Sequence, residues 1–268
     1  MSGSHLVQAS HSITAPVSVV GQALGGNLGA GNSVSFNGSN NYLEVTNTGS
    51  TTGFYRDGDP YTIEFFMKYA STQDGSASDP TLISFGPNPF STGMAIQVYN
   101  NNIYYTIGGS LKGTRPITGY KDVWKHIAVC RNGDHVTRIF VDGVKQGVDI
   151  TGDEGKLTNG KPLVVGAYLQ TNGNNSTNGS NFKGLVTNVR WTDLCVYTGN
   201  FTKPTSALQA TQSANPYGGS NTAAISGQSV KVLIVCTSGA AYDSSTYGKT
   251  ISGFPPGNLP AASLDGPF

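Results

Sequence analysis

The chain has 268 residues, a net charge of +1 and only 12% charged residues, so it lacks the electrostatic field that drives nucleic-acid or anionic-membrane binding. No apolar run reaches the roughly 18 residues that a membrane-spanning helix needs, and Met1–Ser10 lacks the basic-then-apolar order of a secretory signal. Glycine at 36, proline at 13 and abundant Asn, Ser and Thr beside 37% hydrophobic residues describe many short strands joined by tight turns, with few helices. One large all-β unit or two small domains would accommodate this length.

Residues 1–31 end in the glycine-rich stretch Gly25–Gly31, which reads as a flexible N-terminal arm. Strand signals then recur every 8–15 residues: Ser33–Phe36, Tyr42–Val45, Tyr61–Tyr69, Thr81–Phe85, Met94–Tyr99, Ile103–Ile107, His126–Arg131, Val136–Val141, Leu163–Ala167 and Phe182–Thr192. Such spacing is that of a sandwich or barrel. In Tyr61–Tyr69 the parity predicts a buried face of Ile63, Phe65, Met67 and Tyr69 and a wet face of Thr62, Glu64 and Lys68, with Phe66 as the exception.

Between Ile127 and Val148 the turns Asn132-Gly133-Asp134 and Asp142-Gly143 predict a three-stranded meander. Thr171–Asn181 carries no apolar residue and reads as an exposed loop, and residues 203–229 show little periodicity. Val230–Cys236 is the most strongly β-forming run and has to be buried, either in its own sheet or against a neighbouring copy. The proline-rich residues 253–268 are expected to form an extended tail that, like the arm, orders only on a partner, with Phe268 or Val17 as anchors.

The chemistry of the chain is sparse. No Glu-x-Asp-x-x-Glu triplet of the kind that works on a sugar ring is present, and Asp153-Glu154 point to opposite faces if extended. His5, His11, His126 and His135 show no metal-binding spacing, and there is no Cys-x-x-Cys, Gly-x-Ser-x-Gly or phosphate loop. Cys130, Cys195 and Cys236 lie in apolar runs and read as buried reduced thiols, and His126 reads as a packed histidine. No enzymatic activity is expected.

Five segments together resemble the laminin-G-like members of the concanavalin A-like lectin/glucanase superfamily, in particular those carried by phage and large-virus structural proteins. They are Val34–Val45, Tyr61–Met67, Trp124–Arg131, Ile139–Val144, and Phe182–Trp191 leading to Tyr197–Thr205. The resemblance implies a two-sheet antiparallel β-sandwich of jelly-roll type over residues 32–252, flanked by the arm 1–31 and the tail 253–268. In this reading Trp124 opens a strand where its ring bridges the two sheets. The usual N-terminal strand and Asp-Ser-Ser turn appear instead at the C-terminal end, as Val230–Cys236 and Asp243–Ser245.

For function, the resemblance implies a non-enzymatic virion-surface or appendage component with a lectin-like module, assembling with other structural subunits or with copies of itself and attaching to host or surface glycans. A free-standing carbohydrate-binding lectin is the alternative, and a degenerate glycosidase a third reading. Sugar recognition uses aromatic faces and amides, for which Tyr104, Tyr105, Trp191, Tyr55, Asn174 and Asn175 are the candidates. Asp57 and Asp59, with Asp153 and Glu154 after them, are the candidate ligands for Ca2+, the single candidate cofactor. No nucleic-acid partner or membrane insertion is expected.

Overall fold

The computed structural model describes residues 32–46, 59–73, 79–86, 93–152, 161–169, 180–236, 240–254 and 260–268. Within them the strands run in chain order as β1 (Ser33–Asn37), β2 (Tyr42–Val45), β3 (Tyr61–Tyr69), β4 (Thr81–Phe85), β5 (Met94–Tyr99), β6 (Asn102–Ile107), β7 (Ser110–Pro116) and β8 (Trp124–Arg131). There follow β9 (Thr137–Val141), β10 (Val144–Lys145), β11 (Leu163–Val165), β12 (Lys183–Thr192), β13 (Val230–Cys236), β14 (Ala241–Asp243), β15 (Ile251–Phe254) and β16 (Ala261–Ser263). A single 3-10 turn, Ser71–Gln73, is the helical content of the described residues.

The strands form two antiparallel sheets. The first has the order β10-β9-β8-β3-β12-β1-β16, and the second β15-β2-β11-β4-β5-β6-β7. Alternate residues of both point inward and fill one core, to which Ile63, Phe65, Met67, Ile96, Ile103, Ile127, Val129 and Trp191 belong. The expected two-sheet sandwich is therefore the observed architecture, and the meander is present as β8, β9 and β10.

Strand β12 organises the first sheet. One side pairs with β3; the other pairs with β1 along Lys183–Val186 and with β13 along Val189–Thr192. The partner changes at an irregularity centred on Asn188, whose φ of 53° is tolerated by an asparagine. Val230–Cys236 thus completes its own sandwich. Every residue of β13 is buried, with Val232 and Ile234 in the inter-sheet core and Leu233 and Val235 on the opposite face. Asp243 ties this strand to the turn after it: Oδ1 accepts from the amides of Leu233 and Ser245 at 2.8 and 2.9 Å, and Oδ2 accepts from the Lys249 amide at 2.7 Å.

Three expectations are corrected. The outer face of β3 is not wet, because residues 194–225 lie across it and bury Thr62, Glu64 and Phe66 beside Val196, Tyr197, Leu208 and Ile225. Thr62 Oγ1 shows how polar groups are satisfied there, donating to the Leu194 carbonyl at 2.8 Å and accepting from the Val196 amide at 2.9 Å. A segment without periodicity still buries a sheet when its bonds go to side chains.

The second correction exchanges the two tryptophans. Trp191 is the wholly buried one, its ring centroid 5.6 Å from Tyr61 and 5.4 Å from Phe85. Trp124 instead shares the outer face of β8 with His126, since Ile127 and Val129 take the inward parity.

The third concerns the C-terminal end. Residues 251–254 pair with β2, and residues 261–263 pair with β1, all within the same chain. Main-chain pairing requires little of the sequence beyond free amides and carbonyls, so a stretch without an apolar pattern still supplies strands.

Candidate functional site

Ionisable groups concentrate on the outer face of the first sheet. Glu64 from β3, His126 from β8 and Arg190 from β12 are each 0% exposed there. Glu64 Oε1 accepts from Arg190 Nε and Nη2 at 2.9 and 2.7 Å, and Oε2 is bonded to His126 Nε2 at 3.1 Å and to the Tyr197 hydroxyl at 2.7 Å. Arg190 Nη1 donates onward to the Gln209 carbonyl at 2.8 Å. Burial by itself would raise the Glu64 pKa, but the Arg190 charge and the bonds from His126 and Tyr197 outweigh it and hold the carboxyl at about 2. Burial and the neighbouring carboxylate push the Tyr197 hydroxyl well above its ordinary value.

This cluster pins the covering segment rather than meeting a ligand. Tyr197 stacks on Phe201 at 3.6 Å and an interplanar angle of 9°, and Phe201 meets His126 edge-on at 5.8 Å, closing the cluster from above. Phe201 is itself clipped to the β9–β10 turn, its amide donating to the Gly143 carbonyl at 2.9 Å. A carboxyl held ionised and shut away from solvent cannot act as a general acid on a substrate.

The outer face of the second sheet is itself buried at Tyr42, Ser84, Ala95, Gln97, Thr106 and Val164, and it opens at the corner beside the β5–β6 turn and β7, where Tyr99 and Thr114 are exposed. On β5, β6 and β7 the register aligns Gln97, Tyr104 and Thr114 in one row and Tyr99, Asn102 and Pro116 in the next. Tyr99 is 38% exposed and Tyr104 is half-buried, and as diagonal neighbours they stand about 7–8 Å apart. The turn between β5 and β6 adds Asn100 and Asn101, both exposed and both at positive φ, 46° and 59°. Asn102 Nδ2 donates to the Asn100 carbonyl at 2.9 Å, and Gln97 Nε2 to the Asp79 carbonyl at 3.0 Å, so the amides bordering the tyrosines are held in place. Rings flanked by fixed amides and hydroxyls are the groups that engage the C–H face and the hydroxyls of a sugar.

Of the residues expected at a sugar site that lie among the described residues, Tyr104 is the one on this surface. Tyr105 has the opposite parity, is 0% exposed and bonds through its hydroxyl to Tyr61 inside the core. Trp191 is equally buried, so neither ring offers a face to solvent. Tyr55, Asp57, Asn174 and Asn175 lie outside the described residues, as do Asp153 and Glu154. Asp59 is half-buried just ahead of β3. No group of three or more His, Cys, Asp or Glu side chains is placed to hold a metal ion among the described residues. Tyr99 and Asn102 were missed, although the alternation of Ile103, Tyr105 and Ile107 with Asn102, Tyr104 and Thr106 already marks the outward face.

Two antiparallel sheets packed around one core, with a closed outer face on one sheet and a tyrosine-bearing corner open on the other, define a lectin-like β-sandwich. The chain belongs to the concanavalin A-like lectin/glucanases superfamily, whose laminin-G-type model matches residues 37–196. No curated protein sequence matches it. Among solved structures it is similar to a protein of Bacteroides ovatus assigned as carbohydrate binding, with 15% identity and a TM-score of 0.53 over 89% of this chain and 63% of that one. The chain therefore spans less than two thirds of that relative, and the likeness is one of fold. A heptameric SAP-like pentraxin from Limulus polyphemus is similar at 14% identity and a TM-score of 0.47, over 62% of this chain and 78% of the pentraxin.

Proposed function

We propose that the chain is a non-enzymatic carbohydrate-binding module that meets glycans on the outer face of the second sheet, around Tyr99 and Tyr104. The observation that carries this reading is the pairing of an exposed and a half-buried tyrosine on one face, bordered by Asn100, Asn101 and Asn102, in a lectin-type sandwich. The non-enzymatic part is supported by Glu64, the carboxylate with the richest surroundings, which is sealed under the covering segment and fixed by four bonds. The test is a glycan-array screen followed by calorimetry on any hit. Tyr104→Ala and Tyr99→Ala are expected to lower the affinity at least tenfold with the melting temperature unchanged. Retained affinity in both variants would move the site elsewhere on the molecule.

Display on a virion surface is a second reading, favoured by the resemblance of the five sequence segments to modules of viral appendages. Mass spectrometry of purified particles tests it: the chain is expected among the particle proteins, and its recovery solely as free protein favours a free-standing lectin.

A further inference from the structure

The last nine residues sit on the chain as a peptide sits in a receptor. Strand β16 adds to the free edge of β1 in the register Ser33 with Ser263, Val34 with Ala262 and Ser35 with Ala261. The Ser33 hydroxyl donates to the Asp265 carbonyl at 2.6 Å. Asp265 is read by two donors, Trp124 Nε1 at 2.9 Å to Oδ1 and Lys68 Nζ at 2.7 Å to Oδ2. The terminal Phe268 places its ring edge-on to Phe66, with centroids 4.9 Å apart at 76°. These are a strand edge, a carboxylate reader and an aromatic anchor, the three elements of recognition by strand addition.

The hold on this segment is shallow for a strand of a sandwich. Ala261 and Ala262 are exposed, Ser263 is half-buried, and Phe268 retains 37% exposure, so β16 contributes little to the inter-sheet core. Its attachment rests on main-chain bonds, the Asp265 pair and one ring contact. Segments of this kind open at a fraction of the global unfolding cost. When one opens, β1 presents an unpaired edge beside Trp124, Lys68 and Phe66, which is a template for the same strand from another molecule.

We propose that this seat, formed by the β1 edge with Lys68, Trp124 and Phe66, accepts residues 261–268 of a second copy of the chain in place of its own. Every bond of the intrachain arrangement is remade in the exchanged one, so the balance between them is set by protein concentration. Reciprocal exchange gives a symmetric dimer, and the partner is selected by the spacing of its strand, carboxylate and terminal ring. This use of the C-terminal end is independent of glycan binding.

The ion pair supplies a direct readout. Full-length unlabelled and 15N-labelled protein are mixed, concentrated, and treated with a carbodiimide, which joins the Lys68 amine to the Asp265 carboxyl as an amide. The expected result is a dimer fraction whose Lys68–Asp265 cross-linked peptide contains one heavy and one light half, while the monomer fraction yields same-isotope cross-links. Excess free peptide of residues 261–268 is expected to lower the dimer fraction at least threefold, and the same peptide with D265A and F268A to leave it unchanged. Same-isotope cross-links alone in every fraction, or a dimer indifferent to the native peptide, overturns the proposal.

Discussion

Glu64 and Arg190, side by side on β3 and β12, form a fully buried ion pair in which one carboxylate oxygen accepts from both Nε and Nη2 of the guanidinium, at 2.9 and 2.7 Å. Removing either partner strands the other charge in the interior. Arg190→Met is expected to destabilise the protein by about 3–5 kcal/mol in denaturant titration, and the paired change with Glu64→Leu to recover a large part of that loss.

The same carboxyl makes stability depend on acidity. Its folded pKa, about 2, lies below the ordinary value of 4.5, so the unfolded chain binds the proton more readily. The stabilisation is complete above about pH 4.5 and is lost as pH falls toward 2. Glu64→Gln is expected to flatten the fall of the melting temperature across that interval, and an unchanged slope would show that other carboxyls govern acid unfolding.

The β9–β10 turn tolerates no side chain at Gly143. Its φ is +80°, and a Cβ there would lie 2.1 Å from the carbonyl oxygen of Phe201. Gly143→Ala is expected to cost about 1–3 kcal/mol and to loosen the covering segment, seen as faster amide exchange at Phe201.

The two tryptophans should respond in opposite ways. Trp191→Ala removes a wholly buried ring and is expected to cost about 3–5 kcal/mol. Trp124→Phe loses one hydrogen bond to Asp265 and is expected to cost about 0.5–1.5 kcal/mol. Thermal unfolding of both variants distinguishes this assignment from the reverse one.

Thiol reactivity should single out Cys195. Burial pushes the Cys236 thiol up to about 12 and the Cys130 thiol well above its ordinary value. The half-buried Cys195 is lowered, chiefly by its bond to Cys130. Iodoacetamide at mildly alkaline pH is expected to modify Cys195 first in the native protein and all three thiols, Cys130, Cys195 and Cys236, only after unfolding.

The sandwich, the meander and the burial of Val230–Cys236 were legible because each is a local pattern: alternation, an Asp-Gly turn, an unbroken apolar run. The covering segment was not, because residues 194–225 are held by bonds to Thr62 and Glu64, far away in sequence, and to Asn188, with which they share no periodicity. Trp124 was misplaced by weighing its size over its parity, although Ile127 and Val129 fix which residues of β8 point inward. The tyrosine face was half legible. Tyr104 and Tyr105 are adjacent, and strand geometry sends one of any such pair to solvent and the other to the core.

The overlay on the first sheet gives the molecule a back and a front. Residues 194–225 lie on the outside of the first sheet and Asp265 and Phe268 reach onto it from the edge strand β16, while Tyr99 and Tyr104 look out from the second. A module divided in this way can be mounted by its back without screening Tyr99 and Tyr104, and copies joined back to back would turn those tyrosines away from the join. Such a pair could not lay both tyrosine corners on one surface and would instead link two separate surfaces, with no change to either tyrosine.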